Sequence, residues 1–143
     1  MIRFNKYEHK KFLIVVSDFI RKISKGDRLT SISSKVSTLI KKEAMKKKKK
    51  VIVLDFGCGS MEISKKIQHK KFIRKIIGLD IFDANYKYKK LQYFKYKNLD
   101  NLKRFKSDVV ILVDVLHHIG VEKSHIVLKR LSKHSNTIII KDH

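Results

Sequence analysis

The sequence predicts an α/β domain: a doubly wound, mostly parallel sheet of about five strands, with helices on both faces, behind an N-terminal helical segment. Three observations carry this reading. Short, continuous, β-branched runs recur after Lys50, as in strands buried on both faces of a parallel sheet. Helical stretches alternate with them, which favours right-handed crossovers. The stronger strands also end in polar residues. In an open parallel sheet that is the rim where ligands bind.

Residues 1–49 read as two helices that pack on the core. The first runs from about His9 to Lys25, with Phe12, Leu13, Val16, Phe19, Ile20 and Ile23 on one face. Gly26 stops it. The second starts after Thr30 or Ser31, which can cap it, and buries Ile32, Val36, Leu39 and Ile40. It runs into Lys46 to Lys50, read as a solvated helix end where cations favour the helix dipole.

Residues 50–143 form the core. The strand runs are Val51 to Leu54, Ile76 to Leu79, Val109 to Val113 and Thr137 to Ile140, with a weaker strand near Leu91 to Tyr96. Helices fit at Ser60 to His69 and at Val121 to His134.

The net charge is +22 in 143 residues. Such a field attracts nucleic acid or anionic membrane. Codon bias gives the same result without function. Lysine far outnumbers arginine, there is no Pro or Trp, and Ala occurs only at Ala44 and Ala84. No apolar run reaches the roughly 20 residues of a membrane-spanning helix. The lone cysteine, Cys58, permits no internal disulfide and suits a reducing, cytoplasmic compartment. With two adjacent histidines, it lacks the spacing of a zinc site, so no metal is expected.

The first strand runs into Asp55-Phe56-Gly57-Cys58-Gly59-Ser60. Two glycines there let the backbone turn tightly beside a ligand, and the next helix points its N-terminus at it. Asp80 ends the second strand 21 positions after Gly59, about where a carboxylate binds a ribose diol. A dinucleotide fingerprint needs glycine at position 62, where this chain has Glu62. No Gly-Lys-Ser/Thr phosphate loop is present either. The two acidic residues suit a nucleoside ligand that is positively charged and lacks phosphates.

Val53 to Gly59 resembles the first motif of class I S-adenosylmethionine-dependent methyltransferases, a Rossmann-like superfamily. Gly78-Leu79-Asp80 resembles their ribose-binding strand end. Asp108 to Ile119, with Asp114-Val115-Leu116-His117-His118, resembles their fourth-strand segment. Leu131 to Asp142 resembles their fifth strand and the turn before it. The resemblance implies S-adenosylmethionine as cofactor. It places Gly57, Cys58 and Gly59 around the methionine moiety, with Asp55 supporting that loop and the amino group. Asp80 would hold the ribose, and Ile81, Asn98 and Leu99 would border the adenine. Val113 and Asp114 would border the methionine or the substrate.

Two departures stand out. Met61 replaces a frequent third glycine and is expected to narrow the loop. The sequence stops at His143, just after the fifth strand, where the family usually adds two more strands. The fifth strand is therefore expected to be an unpaired edge, left by truncation or covered by a partner.

The candidate catalytic residues are His117, Asp114, Lys141 and Asp142. His117 and His118 diverge as neighbours, so at most one faces the pocket, as a base or as a structural group. Asn85 to Lys97 interleaves aromatics with lysines, which suits nucleic acid. The competing expectation is lysines outward and rings inward. The leading function is methyl transfer to a small-molecule or glycan-type metabolite. An RNA methyltransferase and a non-catalytic basic module on a degenerate methyltransferase fold remain as alternatives.

Overall fold

The computed structural model describes residues 12–15, 25–84 and 87–142. Its strands are β1 (Phe12–Val15), β2 (Val51–Phe56), β3 (Ile73–Asp80), β4 (Lys87–Tyr88), β5 (Leu91–Lys95), β6 (Val109–Val113) and β7 (Thr137–Lys141). Its helices are α1 (Lys25–Lys47), α2 (Glu62–Ile67), α3 (Leu116–Ile119) and α4 (Val121–His134), with a 3-10 turn at Leu99–Arg104. The strands form one sheet in the order β1-β7-β6-β2-β3-β5-β4. All neighbours are parallel except β4, which pairs antiparallel with β5.

The four continuous apolar runs and the weaker one all become adjacent strands. The four continuous runs are buried on both faces at their centres, because helices cover the sheet on both sides, whereas β5 buries Leu91 and leaves Gln92, Phe94 and Lys95 exposed. On one face α1 lays Ile32, Val36, Ile40 and Ala44 against Val53, Ile76, Ile111 and Ile139. These α1 residues recur every four positions and so form one stripe of the helix. On the other face α4 buries Val127 and Leu131 against Leu54, Val110, Leu112 and Ile138. The chain reverses direction across the sheet between β2 and β6, the switch point beside which ligands sit in such folds.

Four expectations change. Phe12 and Leu13 belong to a strand, not to a helix face. Val16, Phe19, Ile20 and Ile23 lie outside the described residues. Gly26 does not stop a helix but falls in the first turn of α1, which begins at Lys25. The fifth core strand, β7, is not an open edge: β1 pairs with it from Phe12↔Thr137 to Val15↔Ile140. The same backbone groups that would have been unpaired are thus hydrogen-bonded by an earlier segment of the same chain.

Finally, the lysine run is only partly solvated. Lys47 Nζ and Lys49 Nζ lie 3.1 and 2.9 Å from Asp108 Oδ1, while Asp108 Oδ2 accepts the Ile52 N–H at 2.9 Å. Asp108 thereby ties α1 and β2 to the amino end of β6. Burial alone would raise its carboxyl, but the Ile52 N–H and the two lysines outweigh it and hold it below the usual range. No helix among the described residues is long and apolar enough to cross a membrane.

Candidate functional site

The turn after β2 is built by hydrogen bonds to β3. The N–H groups of Gly57 and Cys58 both donate to the Leu79 carbonyl, at 2.8 and 3.2 Å. Gly57 has φ +69, and a Cβ there would lie 2.7 Å from both methyls of Val115. Glycine is therefore required twice over, for the backbone angle and for the contact. Gly59 also has positive φ, but nothing lies within 4 Å of the Cβ it lacks. The loop is closed on the Gly57 side and open on the Gly59 side.

Asp80 closes the turn from the end of β3. One carboxylate oxygen accepts the Gly59 N–H and the other the Ile81 N–H, both at 2.7 Å. A carboxylate has about four acceptor positions, so capacity remains for two further donors. Beside it, Ile81 and Phe82 are 54% and 68% exposed, an apolar ledge at the rim.

Asp55 lies beneath the turn and is buried. It does not bond the loop backbone, as a loop support would. Instead it accepts the Ser64 hydroxyl at 2.6 Å and so anchors α2. Burial pushes its carboxyl from 3.8 up to about 6; the Ser64 bond opposes the rise and Asp80 adds to it. Cys58 is held as the thiol, since burial and then the charges of Asp55 and Asp80 push its acidity far down.

Met61 does not narrow the loop. It adopts φ 59 and is completely buried. Its side chain enters the space that Gly78 leaves: a Cβ on Gly78 would stand 2.6 Å from Met61 Cε and 2.9 Å from Cys58 Sγ. Glu62 is exposed, and its carboxylate meets Ser60 and Lys65 at the start of α2.

The four candidate catalytic residues also come together. Asp114 follows β6 in the left-handed region, φ 55, which is costly for a residue with a side chain. It pairs with Lys141 of β7 at 2.5 Å and with Arg28 of α1 at 2.9 Å. His117 Nδ1 lies 2.5 Å from one Asp142 oxygen, and its N–H donates to the other at 3.1 Å. The His118 ring leans against that of His117 with centroids 3.9 Å apart. Between these pairs sits Val115, the residue that touches Gly57.

The remaining candidates are more peripheral. Val113 is partly buried at the end of β6, against the α1 side of the core. Asn98 caps the 3-10 turn, its side-chain oxygen accepting the N–H groups of Asp100 and Asn101. Leu99 packs against the α4 side of the core.

The rings of Asn85 to Lys97 do not all turn inward: Tyr88 and Phe94 are exposed. Tyr88 sits opposite Leu91, and Phe94 is three positions beyond Leu91, so the two rings lie on opposite faces of the sheet. They do not form one stacking track.

Sequence reasoning missed Arg28, Ser64, Gly78 and Val115. Gly78 and Val115 stand within quoted motifs and Ser64 within an expected helix, but only the folded contacts give them roles. Arg28 is 86 positions from its partner and carried no local signal.

A methyltransferase domain family model matches residues 27–141. No curated protein matches the chain. Among solved structures, a cyclopropane-fatty-acyl-phospholipid synthase-like protein from Lactobacillus casei ATCC 334 is 18% identical, with a TM-score of 0.48. The match covers 79% of this chain and 50% of that one, so this chain spans about half the length of that protein. The family match extends from Asp27, at the start of α1, to Lys141, and so takes in the glycine turn, Asp80 and the segment after β6. The chain belongs to the methyltransferase domain family.

Proposed function

We propose that this chain binds S-adenosylmethionine at the turn between β2 and α2 and directs its methyl group to a small-molecule or glycan-type metabolite in the cytoplasm. The observation that carries the reading is the Asp80 clamp. A buried carboxylate holds the glycine turn with one oxygen and the next strand end with the other, yet keeps acceptor capacity at a ligand-binding rim.

The residues present fit the group. Open space beside Gly59 admits a ligand close to backbone. The Asp80 carboxylate suits a ribose diol, and the exposed Ile81 and Phe82 beside it suit a flat base. Asp55 and Asp80 bring negative potential to the place where a cationic ligand would lie, and the groups described against them are a serine hydroxyl and two backbone N–H groups. When bound, S-adenosylmethionine supplies an electrophilic methyl group on a positively charged sulfur. The chain's own part is to hold that ligand and the acceptor in line, which is where most of the rate gain of such a reaction arises.

Calorimetric titration with S-adenosylmethionine and S-adenosylhomocysteine tests this. Binding by the folded chain, weakened by about 1–3 kcal/mol in Asp80→Ala, is the expected result. Lack of binding to either ligand by a folded chain overturns the reading.

A further inference from the structure

We infer that His117, positioned by Asp142, is the base that takes the proton of a hydroxyl acceptor at this site. The inference rests on the methyltransferase reading above and adds the chemical class of the acceptor. Three observations support it.

First, Asp142 holds His117 twice, at the backbone N–H and at ring Nδ1. A carboxylate only accepts, so the short contact places the ring proton on Nδ1 and leaves Nε2 as the basic nitrogen. A base whose far nitrogen is fixed by a carboxylate is the recurring arrangement for proton transfer. Second, the segment that carries His117 is packed on the cofactor turn, through Val115 against Gly57. Third, the two strand ends that supply the pair, after β6 and after β7, are parallel neighbours at the ligand rim. The strained Asp114 and its two cations, Arg28 and Lys141, hold the same two ends together.

A thiol ionises appreciably near neutral pH and an amine attacks unaided once its ammonium proton is lost to solvent, whereas a hydroxyl must shed its proton as it attacks, so it is the acceptor that depends most on a base at the site. In the transfer the acceptor oxygen forms a bond to the methyl carbon while the carbon–sulfur bond breaks, its electron pair staying on sulfur. The hydroxyl proton passes to His117 Nε2 and then to solvent. Asp142 is a positioning residue, since it acts through the ring.

Two measurements test the inference. Nitrogen-15 spectra of the ligand-free chain report the His117 tautomer. The Nδ1–H form is expected in the wild type, with a shift toward the Nε2–H form in Asp142→Ala and a smaller one in Asp142→Asn. Transfer from methyl-labelled S-adenosylmethionine to a panel of alcohols, phenols, sugars and thiols reports the chemistry. His117→Gln is expected to keep cofactor binding, to lose on the order of 10²–10⁴-fold in transfer to hydroxyls, and to lose the acid limb of the pH profile. His118→Gln, in the stacked neighbour, is expected to retain that limb. Among the described contacts, the charged or titratable groups against the His117 ring are Asp142 and His118, and Asp114 with Lys141 and Arg28 forms a separate cluster on the same two strand ends.

An Nε2–H tautomer in the wild type, full activity in His117→Gln, or cofactor binding with no transfer to any hydroxyl overturns this inference alone. Lack of cofactor binding overturns the methyltransferase reading and this inference with it.

Discussion

Asp55 and Asp108 are buried aspartates in register-neighbouring parts of one sheet, at opposite rims, and their carboxyls move in opposite directions. Asp108 receives a backbone N–H and two lysines, and its acidity increases. Asp55 receives one serine hydroxyl, and its carboxyl rises to about 6. Asp108 at the amino rim is thus compensated by cations, whereas Asp55 and Asp80 at the carboxyl rim meet a serine hydroxyl and backbone N–H groups, unlike their neighbour Asp114 with its two cations. A domain optimised only for stability would treat both ends like the first.

The largest expected effect tests the turn that shapes the second rim. Gly57→Ala places a methyl against Val115 in a backbone region unsuited to it, and is expected to cost about 2–5 kcal/mol in chemical denaturation. Adding Val115→Ala should recover the part due to the clash and leave the part due to backbone angle. A Gly57→Ala chain as stable as wild type would contradict the tight turn.

The next prediction sets the two aspartates against each other. The rise at Asp55 from 3.8 to about 6 corresponds to about 3 kcal/mol. Its folded value lies above its unfolded one. Its contribution is therefore fully present below pH 3.8 and is lost as pH rises through about 6. Asp55→Asn should then stabilise the chain by up to about 3 kcal/mol at pH 8 and by almost nothing at pH 4. It should also weaken binding of a cationic ligand. Asp108 has the opposite sign, with a folded value below its unfolded one. Its contribution is present above the ordinary aspartate range and is lost as pH falls through the lowered value. Asp108→Ala should destabilise by about 1–3 kcal/mol at pH 7, because the Ile52 N–H loses its acceptor. If both variants shift stability the same way at pH 8, the contrast between the rims fails.

The smallest effect sharpens the contrast. Lys49 is 58% exposed in its pair with Asp108, so Lys49→Ala should change stability by less than about 1 kcal/mol, and less still in high salt.

Most of the sheet was legible from the sequence for one physical reason. Strands covered on both faces must be apolar throughout, and Val109 to Val113 or Thr137 to Ile140 has no other reading of comparable economy. The glycine turn and Asp80 were legible because both are local and spaced by one strand-helix-strand unit. What was hidden depended on distant contacts. Phe12 to Val15 is apolar in a pattern that fits a helix face equally well, and only the company of β7 makes it a strand. Met61 looked obstructive because the hollow that accepts it is made by Gly78, on the next strand. The two halves of the Asp114–Arg28 pair are separated by most of the domain.

The pairing of β1 with β7 has a consequence for how the chain is made. β1 is synthesised before its parallel partner β7, and every other described strand and helix lies between the two in the sequence. Contacts of such long sequence separation form slowly, since a long loop must close first. During translation, residues 12–15 therefore cannot take their native place until β7 has been made. Order at this edge therefore waits on the later of its two strands, however early the other is made.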